Sequence, residues 1–131
     1  MLINNNPMEK LQASMLNPLV LAYIGDGVYE LLVRDLLVRK TGKNNGRLHS
    51  EAIGYVSCKA QSMFVEKIYD KLTDEEIKIY KRGRNSNSMP NKNSDLGEYK
   101  RATGLEALFG YLYLIGSCER MNELFETMLS D

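Results

Sequence analysis

Apolar residues recur every three to four positions along most of this chain, and that spacing predicts helix. The longest stripe takes in Leu21, Ile24, Val28, Leu31 and Leu32 and continues to Val38. Asn17-Pro18 opens it: Asn17 is a good capping residue, and Pro18 suits a first turn that needs no backbone N–H. Arg39 and Lys40 complement the negative end of the helix dipole, and Gly42 supplies a stop. From Gly46 to Leu72 the pattern holds two helices with a break near Gly54 to Ser57, where Ser57 is placed to cap the second. Thr73-Asp74-Glu75-Glu76 marks a new start, with a capping residue, two acids for the dipole and Glu76 at the capping-box position. That helix runs to about Arg82. Asn85 to Ser94 has loop composition and no apolar period. Helix resumes near Gly97 or Glu98 and runs to about Ile115, where Gly116-Ser117 breaks it. Met121, Leu124, Phe125, Met128 and Leu129 give a last helix its apolar face. The chain shows no alternating strand pattern and no internal repeat, so the expected fold class is all-α.

A chain of 131 residues can bury one core, and a single domain over residues 1–131 is expected. Its 17 basic and 17 acidic residues cancel. Their distribution is uneven. Between Lys78 and Arg101, seven basic residues stand against two acids, and the rest of the chain carries the matching negative excess. A polyanion would therefore meet a basic patch on a neutral protein. Cys58 and Cys118 lie far apart in helical patterns, with no Cys/His ligand spacing. That excludes a zinc motif and predicts buried free thiols in a reducing compartment. The first seven residues lack the basic and apolar parts of a signal peptide, and no apolar run approaches the ~20 residues that span a bilayer. A cytoplasmic protein with no membrane partner is expected.

Two acids interrupt apolar helical runs. Asp26 lies in Tyr23-Ile24-Gly25-Asp26-Gly27-Val28, and Glu106 lies in Gly104-Leu105-Glu106-Ala107-Leu108-Phe109. Carboxylates avoid apolar surroundings unless they are paired, hydrogen-bonded or bound to metal. Oxygen ligands of this kind suit Mg²⁺, which takes one or two protein carboxylates and keeps room for water and phosphate. Gly25, Gly27 and Gly104 remove bulk beside both acids. The pattern leaves two readings open: a shared cation site, or acids paired with Arg34, Arg101 or a helix end. Glu30 lies one turn beyond Asp26, and a salt bridge to Arg34 is its expected role.

Lys81-Arg82-Gly83-Arg84-Asn85 and the polar segment after it form the anion-binding candidate, because guanidinium forks match phosphate oxygens. A basic helix end complementing its dipole accounts for Lys81 and Arg82, but not for Arg84, Lys92, Lys100 and Arg101. His49 is the only histidine and stands near a helix start. It could contact phosphate, act as a base or simply be solvated. Tyr80 and Tyr99 are expected to anchor the core or the loop.

These motifs together resemble those of a known family. Leu21-Ala22-Tyr23-Ile24-Gly25-Asp26-Gly27-Val28 resembles the signature of the ribonuclease III catalytic domain. With Lys81-Arg82-Gly83-Arg84-Asn85 and Ala102-Thr103-Gly104-Leu105-Glu106-Ala107-Leu108-Phe109-Gly110-Tyr111-Leu112, the chain is similar to the bacterial Mini-III branch, from about Asn17 to Leu129. The resemblance implies an all-helical homodimer whose cleft receives double-stranded RNA, without a separate double-stranded-RNA-binding domain. It implies a Mg²⁺-dependent endoribonuclease that leaves 5′-phosphates and trims the ends of the large-subunit (23S) ribosomal RNA precursor, with ribosomal proteins or the pre-ribosome as neighbours. Asp26 and Glu106 match the signature acids, as catalytic and metal-holding residues. Tyr23 matches the aromatic residue that packs on the partner subunit. Arg82, Arg84, Asn85, Lys92, Lys100, Arg101 and His49 are the expected RNA contacts. Two further acids of full-length ribonuclease III are replaced here by Ala22 and Thr103. A non-catalytic duplex-RNA-binding module is the competing expectation.

Overall fold

The computed structural model describes residues 4–41, 44–87 and 95–130. Its helices are α1 (Lys10–Ser14), α2 (Pro18–Thr41), α3 (Asn45–Val56), α4 (Cys58–Ile68), α5 (Asp74–Arg84), α6 (Leu96–Leu114) and α7 (Cys118–Leu129), with a single 3₁₀ turn at Tyr69–Lys71. The described residues contain no strand.

Helix α6 lies at the centre. Ala102 to Leu105 and Ala107 to Leu112 are all buried, as in a helix surrounded by others. It packs against α2, α5 and α4, while α7 closes the far side. Leu21, Tyr29 and Val33 of α2 meet Leu105, Leu108 and Phe109 of α6 and Met121, Leu124 and Met128 of α7 in one core. The Tyr29 ring stands edge-on to Phe109 and Phe125, with centroids 5.7 and 6.1 Å away. That is the favoured geometry for aromatic pairs.

The predicted caps form. Asn17 Oδ1 accepts from the Leu19 N–H, Ser57 Oγ from Ala60, and Thr73 with Glu76 completes a capping box. Glu76 has a second task. Its carboxylate, nearly fully buried, receives the Arg120 guanidinium at 2.8 Å, and Arg120 also donates to the Lys71 carbonyl. Burial alone would push the Glu76 carboxyl up; the Arg120 and Thr73 hydrogen bonds outweigh it and hold the group below its ordinary value. This pair joins the start of α5 to α7.

Some expectations change. Helix α1 was not foreseen, α5 continues two residues past Arg82, and α6 starts at Leu96 with Asp95 as its cap. Neither cysteine is in a disulfide, and both are only half-buried, each at the first position of its helix. The stop at Gly42, and Lys92 with the segment 88–94, fall outside the described residues. No helix among the described residues is long and apolar enough to cross a membrane.

Candidate cation and RNA site

The site begins with a close crossing of two backbones. A Cβ built on Gly25 of α2 would lie 1.6 Å from the Glu106 carbonyl oxygen of α6, and one built on Gly110 would lie 1.9 Å from the Leu21 carbonyl oxygen. Only hydrogen fits at either point. The two glycines let α2 and α6 touch without intervening side chains. The contact falls on the backbone of Glu106, one residue from Asp26. Gly104 has the same use against the Tyr80 ring, whereas a Cβ on Gly27 would meet nothing within 4 Å. The expected role of Gly27 in close approach is thus not realised within this chain.

The crossing brings Asp26 and Glu106 together. Asp26 lies on the exposed side of α2, and Glu106 is half-buried. Burial, and then the Asp26 carboxylate beside it, push the Glu106 carboxyl up from 4.5 to about 8. Its hydrogen-bonding partner on the buried side is Gln61 of α4, whose Nε2 stands 3.4 Å from Glu106 Oε2. Neither neighbour is a cation. The alternative pairings do not occur: Arg34 binds Glu30 at 2.8 Å, as expected, and Arg101 donates to Ser62 Oγ at 2.6 Å. Two adjacent carboxylates with no basic partner among the described residues are a donor set suited to a divalent cation.

The two positions where the resemblance called for further acids are closed. Ala22 is buried in the core, and Thr103 is buried with its hydroxyl donating to the Tyr99 carbonyl at 3.0 Å. Among the described residues no cluster of three or more His, Cys, Asp and Glu side chains could hold a metal. Among these residues the candidate site offers two carboxylates, Asp26 and Glu106.

The basic residues divide. Arg82 is committed to the fold: its guanidinium donates to the Ser14 carbonyl and, at 3.0 Å, to the Leu16 carbonyl, so it anchors the end of α1. Arg84 lies over the Tyr80 ring, 5.7 Å from the centroid, and its Nε reaches Asn85 Oδ1 at 3.3 Å. Lys100 and Arg101 lie half-buried on the first turns of α6, the helix that carries Glu106. His49 is exposed on α3, at the rim of a cleft of about 430 Å³ with Glu30 and Arg34. Tyr23 is 84% exposed on α2, next to Val20 at 52% and Leu19 at 39%.

Two polar residues were missed by sequence reasoning. Tyr29 donates its hydroxyl to the Tyr55 carbonyl, and Gln61 donates to that of Val56, at 2.8 and 2.9 Å. These carbonyls end α3 and have no partner within the helix. The signal for Gln61 was present: with Val65 and Ile68 it lies on the buried stripe of α4.

A family model described as Ribonuclease III domain matches residues 19–117. The Mini-ribonuclease 3 of Clostridium tetani is 42% identical over 123 residues, covering 92% of this chain and 82% of that protein. The Mini-ribonuclease 3 of Thermoanaerobacter sp. is 45% identical over 125 residues, covering 94% and 87%. The crystal structure of protein FN1578 from Fusobacterium nucleatum superposes with a TM-score of 0.80 at 31% identity, covering 88% of this chain and 93% of that one.

Proposed function

Because the chain belongs to the ribonuclease III family, within it to the Mini-ribonuclease 3 branch, it is an endoribonuclease, and we propose that Asp26 and Glu106 hold the Mg²⁺ with which it cuts double-stranded RNA. The observation that carries the metal reading is the pair itself: two carboxylates brought together by a glycine crossing, one of them half-buried, with no basic side chain between them among the described residues. A cation bound there supplies positive charge at a phosphate and an acidified water for phosphodiester hydrolysis.

The rest falls to the chain's own side chains. Asp26, on the exposed side, meets the RNA backbone first. Gln61 reaches Glu106 from the buried side. Arg84, Asn85, Lys100 and Arg101, with Lys92, neutralise the flanking phosphates. Such contacts read duplex shape more than sequence. Arg82 contributes indirectly, through the placement of α1. His49 touches phosphate only at the edge of a bound duplex.

We also propose a homodimer. Tyr23, Val20 and Leu19 form an exposed apolar face on α2, and an apolar patch of this kind marks an interface. The substrate we propose is the paired ends of the large-subunit (23S) ribosomal RNA precursor, with ribosomal proteins or the pre-ribosome nearby. The motifs shared with Mini-III enzymes support this, and the reading implies a cytoplasmic protein.

The test is a long RNA duplex incubated with the protein in Mg²⁺ and in EDTA. Cutting in Mg²⁺ alone, lost in Asp26→Asn with the helical content unchanged, is expected. Cutting by Asp26→Asn at the parent rate would overturn the assignment. Binding without cutting would restore the non-catalytic reading.

A further inference from the structure

Gln61 is 2% exposed, on the face of α4 that meets α6. One amide hydrogen goes to the Val56 carbonyl at 2.9 Å, and the other points to Glu106 Oε2 at 3.4 Å. Its Oε1 is buried with no hydrogen-bond partner. Turning the amide over would set that oxygen against a carbonyl and a carboxylate, both of them acceptors. The orientation is therefore dictated by what the N–H groups bind. A leucine would fill this place in the core without the unpaired Oε1, at the cost of leaving the Val56 carbonyl without its donor. Beyond that bond, what leucine would lack is the donor behind Glu106.

We propose that Gln61 is a positioning residue for the cation site: its amide N–H holds one oxygen of Glu106 and leaves the other to the ion. The choice of an amide matters. An arginine or lysine in the same place would orient Glu106 equally well, but its charge would offset the carboxylate's and compete with the cation. The amide orients without neutralising. The same side chain holds the end of α3 through Val56, so three helices meet at the back of the site. This inference rests on the reading of Asp26 and Glu106 as the cation pair. Residues that brace metal-holding side chains typically change metal affinity by about 10–100-fold when removed.

The test compares the parent with Gln61→Leu, Gln61→Met and Asp26→Asn. Mn²⁺ binding to the RNA-free protein is measured by electron paramagnetic resonance, and melting temperature, kcat and KM on duplex RNA are measured alongside. Both Gln61 variants are expected to melt a few degrees below the parent, because the Val56 carbonyl loses its donor, and to bind Mn²⁺ about 10-fold more weakly or worse. The Mg²⁺ needed for half-maximal kcat should rise in step, with KM for RNA unchanged. A purely structural role would lower the melting temperature and leave Mn²⁺ affinity intact, and that result would overturn the inference. If either variant fails to fold, the other decides. If the parent binds Mn²⁺ no better than Asp26→Asn, the cation reading itself fails. If Asp26→Asn alone loses the ion, only the role of Gln61 fails.

Discussion

Replacing Gly25 with alanine asks how far the α2–α6 crossing can give. The new Cβ would lie 1.6 Å from the Glu106 carbonyl oxygen, 2.6 Å from its carbon and 2.8 Å from the Gly110 nitrogen, where ordinary contact begins near 3.4 Å. All three atoms are backbone, so no rotamer change relieves the clash. The helices must move apart by a large part of the 1.8 Å shortfall in the closest contact. Opening a tightly packed interface to that extent leaves voids of roughly 100–150 Å³, on the order of 3 kcal/mol of stability lost. For a chain of this size that is a fall in melting temperature of roughly 10 °C. Gly27→Ala is the internal comparison. Its Cβ meets nothing within 4 Å, so the gain in helix propensity, about 1 kcal/mol, should appear as a slightly higher melting temperature. Circular dichroism melts of the two variants and the parent give the answer. Cleavage by the Gly25 variant, assayed well below its melting point, should also fall, because the shift separates Asp26 from Glu106. If the two variants melt within about 2 °C of each other, the backbone crossing does not set the geometry.

The raised Glu106 carboxyl makes a pH prediction. Its protonated form is favoured in the folded state, so its contribution is fully present below pH 4.5 and is lost as pH rises through about 8. In metal-free buffer, Glu106→Gln should therefore match the parent near pH 4.5 and exceed it at pH 8.5. After discounting for partial exposure, the difference is about 2–3 kcal/mol by urea unfolding, and a constant difference across this range would refute it. Arg82→Ala should cost about 1–2 kcal/mol of stability through the loss of its bonds to Ser14 and Leu16. Arg84→Ala should leave stability nearly unchanged and lower the salt slope of duplex-RNA binding by about one. Filter binding across a salt series separates the two roles.

Long elements with clear periods and caps were legible in the sequence: Asn17, Ser57 and the Thr73/Glu76 box all act where their side-chain chemistry placed them. Helix α1 was not, because five residues make too short a period to register. The two acids were visible as charges in apolar runs, but which of them would be buried was not. That depends on where the α2–α6 crossing falls, which is a property of the packed pair. Arg82 illustrates the same limit. A guanidinium near other basic residues suggests phosphate, yet Arg82 finds the carbonyls of Ser14 and Leu16, 66 to 68 positions away in sequence. Gln61 carried the same signal as Glu106, a polar residue set among buried apolar neighbours on its helix. An amide can serve any donor or acceptor, so its partner could not be read from sequence.

The Gly25 and Gly110 contacts also bear on how the site responds to temperature. Most distances in a protein pass through side chains, whose rotamers loosen before the chain unfolds. The separation of α2 from α6 at Glu106 is set by backbone against backbone, with nothing soft in between. Thermal expansion has little to act on there. The spacing of the two acids should hold almost constant up to the melting transition and then vanish with it, so heat should inactivate this enzyme in the same transition that unfolds it.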